Sequence, residues 1–375
     1  MEERWYMPCK AVEASVSWIS SDEALAARAH DWGRVVGLDT EFLRTDTFFP
    51  LPGLYQLASG SDVFLLDPLC IDDWTPLLEL LEDPAVTKIL HACSEDLELM
   101  RHHFGAVPRG LFDTQLANAF LCPHYSVSFT RLLSERLGIA LEQHETRSNW
   151  RARPLTDEQI QYAWEDVYYL PRLHEILLAE LADRGRLDWF REEMDLRGRF
   201  ELADPETYYL SVNKAWRLPG PARSRLQALC AWRETQAMGE DRPRNRLVRD
   251  EHLLALAEKE AVSPHDIHEL LPPRVARRYE TALLDAHAEG SRSHHPPPAE
   301  QPLTRAQTQL VSALRDIGKA RAEALGMAPE LLSRKREVEA CVRHFASTGA
   351  LSEAFLGWRS EILGDAFRAR LEAGE

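Results

Sequence analysis

The chain has 375 residues, 45% apolar and 28% charged, which suits a soluble globular protein of two or three domains and excludes a disordered one. Its formal net charge of −16 argues against wholesale coating of nucleic acid, although bound metal or a local basic patch reverses the field where it matters. Met1 to Lys10 contains no apolar run, no segment reaches the roughly 20 apolar residues of a membrane span, and six scattered cysteines form no Cys-x-x-Cys, so the expectation is a cytoplasmic protein without a zinc site or disulfide framework.

Residues 21–32 read as a short helix with Ser20, Ser21 or Asp22 as its cap. Next come Val35, Val36, Gly37, Leu38, Asp39, Thr40, Glu41 and Phe42, a buried strand that ends in acid. Side chains at i and i+2 of a strand point to one side, so Asp39 and Glu41 converge while Thr40 turns away. Asp-x-Glu marks either a solvated strand end or part of a site for hard divalent cations. Two such ions roughly 3.5–4 Å apart are a standard device for displacing oxygen from phosphorus. A loop rich in turn residues (Asp46, Thr47, Pro50, Pro52, Gly53) leads to strand-like runs 54–59 and 63–66, joined by a Gly60-Ser61-Asp62 hairpin turn. Residues 74–81 are helical, Pro84 stops them, and 87–92 form a fourth strand. The order gives an α/β domain with a mixed sheet: an antiparallel meander, then a crossover that sets the fourth strand parallel to the first.

In His91-Ala92-Cys93-Ser94-Glu95-Asp96-Leu97, Ser94 reads as an N-cap with Glu95 and Asp96 in the first helical turn. Complementarity to the helix dipole is reason enough for acids there. If the fourth strand lies beside the first, the same helix also delivers Asp96 near Asp39, where ligands bind in open α/β sheets. Asp113 reads as the cap of the following helix, and 132–137 continue helical. The polar loop 145–154 carries Arg147, Arg151, Arg153 and Trp150, either to hold phosphates and stack a base or as ordinary surface. Thr156 and Gln159 form a capping box, and on its helix Tyr162 and Asp166 share one face at i and i+4.

Asp39-Thr40-Glu41-Phe42, then His91 with Asp96, then Tyr162 with Asp166, resemble the three motifs of DEDD exonucleases in the tyrosine-bearing subclass. The stretches HACSEDLELM, FDTQLANAF, SNWRARPLT and YAWEDVYYL are similar to bacterial ribonuclease D, a likeness that covers the whole chain. The resemblance implies a ribonuclease H-like fold and 3′-to-5′ hydrolysis of RNA to 5′-mononucleotides, with transfer RNA precursors as typical substrates; a monomer is expected. It matches Asp39, Glu41, Asp96 and Asp166 to ligands of two divalent ions, magnesium or manganese, and Tyr162 to the tyrosine that orients or deprotonates the attacking water. Phe42, Gln56 and His91 are weaker substrate-binding candidates, with core packing as the alternative for Phe42.

Helical periodicity continues over 187–200. Between Ser211 and Arg249 nine basic residues face three acidic ones, with Trp216 and Trp232 interleaved. This either tracks an RNA backbone, with Arg242, Arg244 and Arg246 binding phosphate, or forms a helical bundle with a solvated basic face and core tryptophans. Residues 289–302 read as a linker, in which His294 and His295 act as spacer. The expected layout is an exonuclease domain over 1–205, a helical domain of the kind shared by helicases and ribonuclease D over 206–288, the linker, and a diverged copy over 303–375. A DNA exonuclease of the same superfamily and a non-catalytic RNA-binding adaptor are the competing readings.

Overall fold

The computed structural model describes residues 4–9, 12–141, 148–199 and 204–374. Seven strands form one sheet: β1 (Arg4–Cys9), β2 (Val12–Ile19), β3 (Val35–Leu43), β4 (Leu51–Ser59), β5 (Asp62–Leu66), β6 (Thr87–Leu90) and β7 (Leu111–Asp113). Their spatial order is β1-β2-β5-β4-β3-β6-β7. Strand β6 runs parallel to β3, with Val35 opposite Thr87, and β7 runs parallel to β6. Strands β4 and β5 are antiparallel, and β5 pairs parallel with β2. The mixed sheet and the crossover are as expected from sequence. Strands β1, β2 and β7 were not expected, and β4 begins at Leu51, so Pro52 and Gly53 belong to the strand and not to the loop.

Helices α1 (Asp22–Arg28), α2 (Thr75–Glu82), α3 (Ser94–Phe104), α4 (Thr114–Ala119), α5 (Phe129–Leu137), α6 (Asp157–Tyr168), α7 (Leu170–Asp183) and α8 (Leu187–Arg197) complete the first half. Alternation along β3 sorts its side chains between two cores. Val36 and Leu38 are buried with Leu77 and Leu81 of α2 and Leu97 of α3. Gly37 faces the opposite side, where an added Cβ would lie 2.7 Å from the Val167 carbonyl oxygen and 3.0 Å from Leu170 Cβ. The α6–α7 junction therefore rests directly on the backbone of β3, and only glycine permits that approach.

The second half holds α9 (Gly220–Gly239), α10 (Arg244–Leu247), α11 (Asp250–Glu258), α12 (Pro264–Leu270) and α13 (Pro273–Arg292), then α14 (Arg305–Leu325), α15 (Pro329–Ser333), α16 (Lys335–Thr348) and α17 (Trp358–Glu372). The chain divides into two compact units. One comprises Met1–Leu43, Pro52–Phe200 and Leu303–Glu375; the other comprises Arg44–Leu51 and Glu201–Pro302. Helices α14 to α17 thus share a core with the sheet. Trp358 packs on Phe120 at 5.2 Å and stacks on Trp189 at 5.5 Å, and Ala328 N donates to Ala119 O at 2.8 Å.

In the other unit, Leu226, Leu253, Ile267 and Leu283 close a helical core. The expected linker is partly structure. Helix α13 continues to Arg292, and the following strap is tied down by Tyr209 Oη donating to Pro297 O (2.7 Å) and Arg223 Nε donating to Pro296 O (2.8 Å). His295 Nδ1 lies 3.0 Å from Ser224 Oγ within that strap. Among the described residues, no helix is long and apolar enough to cross a membrane.

Candidate active site

Three carboxylates meet on the α6 side of the sheet. Asp39 and Glu41 leave the same face of β3, and Asp166 descends from α6; ligand oxygens of all three lie within 4.8 Å of one another. Helix α6 is set by the expected capping box, in which Thr156 Oγ1 accepts from Gln159 N and Gln159 Oε1 accepts from Thr156 N. One turn before Asp166, Tyr162 points the same way and hydrogen-bonds to its carboxylate.

Asp96 reaches the site from the other side. It sits in the first turn of α3, and its Oδ1 accepts a 2.5 Å hydrogen bond from Thr40 Oγ1. Thr40 does turn away from Asp39 and Glu41, as strand alternation requires, and in doing so it meets the fourth acid. The start of α3 differs from expectation. Its N-cap is Cys93, and Ser94 is already helical with no side-chain cap bond. Before it, Ala92 adopts φ of 59°, a left-handed conformation that costs a residue with a Cβ roughly 1–2 kcal/mol. Asp113 restrains this turn: its carboxylate accepts from Ala92 N at 3.1 Å and Cys93 N at 3.3 Å. The same group caps α4 through Gln115 N and Leu116 N, the role its position suggested.

Burial and mutual repulsion shape the electrostatics. Burial first, then Asp96, Asp166 and Glu41, raise Asp39 well above the usual carboxylate range, against the backbone N–H of Thr40. Glu41 is pushed up to about 9 by burial, Asp166 and Asp96. Asp166 rises to about 7 through burial, opposed by the Tyr162 hydrogen bond. Asp96 rises to about 6 through burial, opposed by Thr40. Four acids held against their own repulsion present an all-oxygen donor set, which hard divalent cations favour. The residues present fit such ions.

The remaining candidates divide. Trp150, read from sequence as either a base-stacking residue or ordinary surface, is instead 2% exposed, with its ring 6.0 Å from that of Tyr162 and its Cβ 2.6 Å from where a Gly53 Cβ would be. It is core because β4 offers a glycine to receive it. Arg153 makes a two-pronged ion pair with Asp67 (2.6 and 2.7 Å), and Arg151 donates to Pro52 O at 2.6 Å, so both pin the loop to the sheet. Glu145, Thr146 and Arg147 lie outside the described residues. His91 is partly exposed, with both ring nitrogens taken: Nδ1 lies 2.9 Å from Thr114 Oγ1 and Nε2 3.0 Å from Val127 O. Phe42 is partly exposed and packs on the α2–α3 core. Gln56 is buried, and neither polar atom of its amide has a hydrogen-bond partner among the described residues.

In the helical unit, Arg244 is held by the buried Glu234 at 2.8 Å and lies over the rings of Phe48 and Tyr208. Arg242 pairs with Glu240 at 3.4 Å. Arg246 makes, among the described residues, an exposed 3.3 Å pair with Asp46. Trp216 and Trp232 are partly buried against the unit's core. Thr40 and Asp113 are the site's organising residues that a motif-based reading passes over. The signal for Thr40 is its place between the two acids.

A mixed sheet with clustered acids at the end of parallel strands β3 and β6 is the arrangement of a DEDD-class 3′–5′ exonuclease. The comparisons agree: residues 16–182 match the model of a 3′-5′ exonuclease family, and residues 222–286 match the HRDC domain. Ribonuclease D of Pseudomonas paraeruginosa is 40% identical, the match covering 96% of this chain and 98% of the relative. Ribonuclease D of Escherichia coli is 33% identical, covering 94% and 98%. The crystal structure of the Escherichia coli RNase D, described as an exoribonuclease involved in structured RNA processing, superposes with a TM-score of 0.85 at 32% identity, covering 95% of this chain and 98% of that one. The chain belongs to the ribonuclease D family and is a 3′–5′ exoribonuclease.

Proposed function

We propose that Asp39, Glu41, Asp96 and Asp166 hold two divalent cations, magnesium or manganese, and that with Tyr162 they trim the 3′ ends of transfer RNA precursors to release 5′-mononucleotides. The observation that carries this is the convergence of three carboxylates within 4.8 Å, with a fourth, Asp96, close enough to repel Asp39. When bound, the cations acidify the attacking water and stabilise the charge on the phosphate and the departing 3′ oxygen. Tyr162 supplies orientation. Burial, then Asp166, Glu41 and Asp39, hold its hydroxyl well above its ordinary pKa, so at neutral pH it stays protonated and donates to Asp166. Its free lone pair is then left to accept from the water and fix its line of attack.

Phe42, beside Glu41, is proposed to contact the terminal nucleotide. Gln56 shares the sheet face of Leu54 and Ala58, the face from which Asp39 and Glu41 project, and its unpartnered amide is proposed to serve the same nucleotide. In the helical unit Arg246 is the proposed phosphate contact, together with Arg249 and Lys214, which line the same concave surface of about 750 Å³. Residues 303–375 are proposed to be a diverged copy of the HRDC domain. The enzyme is proposed to act as a cytoplasmic monomer.

The test is a 5′-labelled transfer RNA with a short 3′ extension beside single-stranded DNA of equal length, each with magnesium, manganese or chelator. Metal-dependent shortening of the RNA from its 3′ end, with DNA spared, supports the reading. Shortening of DNA alone contradicts it. Binding of RNA without shortening of either substrate also contradicts it.

A further inference from the structure

Helix α8 links the C-terminal helices to the start of α3. Its last residue, Arg197, carries one guanidinium between two acceptors: Nη1 donates to Asp113 Oδ2, and Nη2 donates to Tyr125 Oη at 2.7 Å. Asp113 is fully buried, and it is the carboxylate that holds the turn of left-handed Ala92 and its neighbour Cys93, from which α3, and Asp96 with it, departs. Tyr125 in turn is engaged from the C-terminal segment. Arg334, the N-cap residue of α16, donates to the same phenol oxygen and stacks its guanidinium 4.7 Å from the ring centroid.

Helix α8 is gripped elsewhere along its length as well. Glu193 is buried and accepts from Arg359 Nη1 and from Trp358 Nε1 (3.2 Å), while Arg359 Nε donates to Leu331 O at 2.7 Å. Just before the helix, Arg186 donates to Phe120 O and to Leu325 O. The helix is thereby held to α14–α17 at its start and along its length, and at its end Arg197 reaches Asp113 and, through Tyr125, Arg334.

We propose that Arg197 is a positioning residue for Asp96, and that through Tyr125 and Arg334 the C-terminal helices set the placement of this acid. The proposal rests on Asp96 being a metal ligand. The acid is also held by Thr40, so its carboxylate is fixed from two directions, by a hydroxyl on β3 and by the turn that Asp113 and Arg197 restrain. Groups behind a metal ligand characteristically change metal affinity and turnover while substrate binding is little affected. Arginine suits the task because its planar fork presents donors to two acceptors in fixed directions, whereas lysine's ammonium is a compact point charge on a flexible stem.

The experiment compares the full-length wild type with Arg197→Ala, Arg197→Lys, Tyr125→Phe, the double variant Arg197→Ala with Tyr125→Phe, and Asp96→Asn. Each is assayed for kcat, for KM on an RNA with a 3′ extension and for the metal concentration that gives half-maximal activity, well below its melting temperature. Arg197→Ala should lower kcat and raise the half-saturating metal concentration, together on the order of 10–100-fold, with KM within about twofold. Tyr125→Phe, which keeps the ring under Arg334, should move both in the same direction by less. Arg197→Lys should recover part of the loss, and the double variant should be no worse than Arg197→Ala alone, because both act along one chain of contacts. Unchanged kcat and metal half-saturation in Tyr125→Phe and Arg197→Lys would overturn the proposal even if Arg197→Ala failed to fold. So would a loss confined to KM. Asp96→Asn separates the two readings: if it retains turnover, the ligand assignment fails; if it is inactive while the Arg197 and Tyr125 variants match wild type in kcat and metal half-saturation, only the positioning role fails.

Discussion

Thr40 sits between two acids of the cluster and serves a third. Its hydroxyl lies on the other face of β3 from Asp39 and Glu41 and donates to Asp96 at 2.5 Å, so three successive residues address the site from both sides of one strand. Thr40→Val should keep the β-branched shape and lower turnover by about tenfold, with a raised metal requirement; a metal titration of activity that matches wild type would refute the role. The acids themselves give a signed pH prediction. Their folded pKa values lie above the ordinary carboxylate range, about 6 for Asp96, about 7 for Asp166 and about 9 for Glu41. The stability they contribute to the metal-free protein is fully present below about pH 4 and is lost as pH rises towards 9. Cations bind the deprotonated carboxylates, so the rise in melting temperature on adding magnesium should be small at pH 5.5 and larger at pH 8.5. Thermal melts in chelator and in magnesium across that range check it, and a metal-induced shift independent of pH would contradict it.

At the scale of elements, the site depends on how closely α6 and α7 lie on β3. Gly37→Ala would place a methyl 2.7 Å from the Val167 carbonyl oxygen, and since backbone cannot yield as a side-chain tip can, the cost should be about 1–3 kcal/mol. A melting temperature equal to wild type would contradict it. This element-level frame was largely legible in the sequence, because the signals are local. The i, i+2 acids of β3, the i, i+4 pair of α6 and the Thr156–Gln159 capping box follow from strand and helix periods alone. Strand β2 carries a legible signal too, since Val12, Ala14, Val16 and Trp18 alternate with Glu13, Ser15 and Ser17. Strand β7, at three residues, is too short for any period to show. Long-range partners were not legible: nothing near Trp150 reveals that Gly53 will receive it, and nothing near Arg153 names Asp67 as its partner.

At the scale of the whole molecule, partners distant in sequence decide which basic residues are free for RNA and which core the last helices join. Arg244 spans a buried carboxylate and two rings, so Arg244→Ala should destabilise the helical unit by about 1–3 kcal/mol, leaving Glu234 with one cation fewer. Arg246 is mostly exposed, and Arg246→Ala should leave stability unchanged while reducing the salt slope of RNA binding by about one. Equal slopes for wild type and Arg246→Ala would remove it from the RNA surface. A chain ending at Pro302 should unfold at lower temperature than the full chain, because Phe120 and Trp189 lose Trp358. The claim on which all of this rests is that the acid cluster carries the chemistry. The most direct test is Asp166→Asn, assayed beside wild type for 3′ shortening of a 5′-labelled RNA in magnesium, with RNA affinity and melting temperature measured on the same preparation. The expected result is turnover reduced on the order of a thousandfold or more, with RNA binding retained. Turnover close to wild type in a folded Asp166→Asn variant would contradict the account.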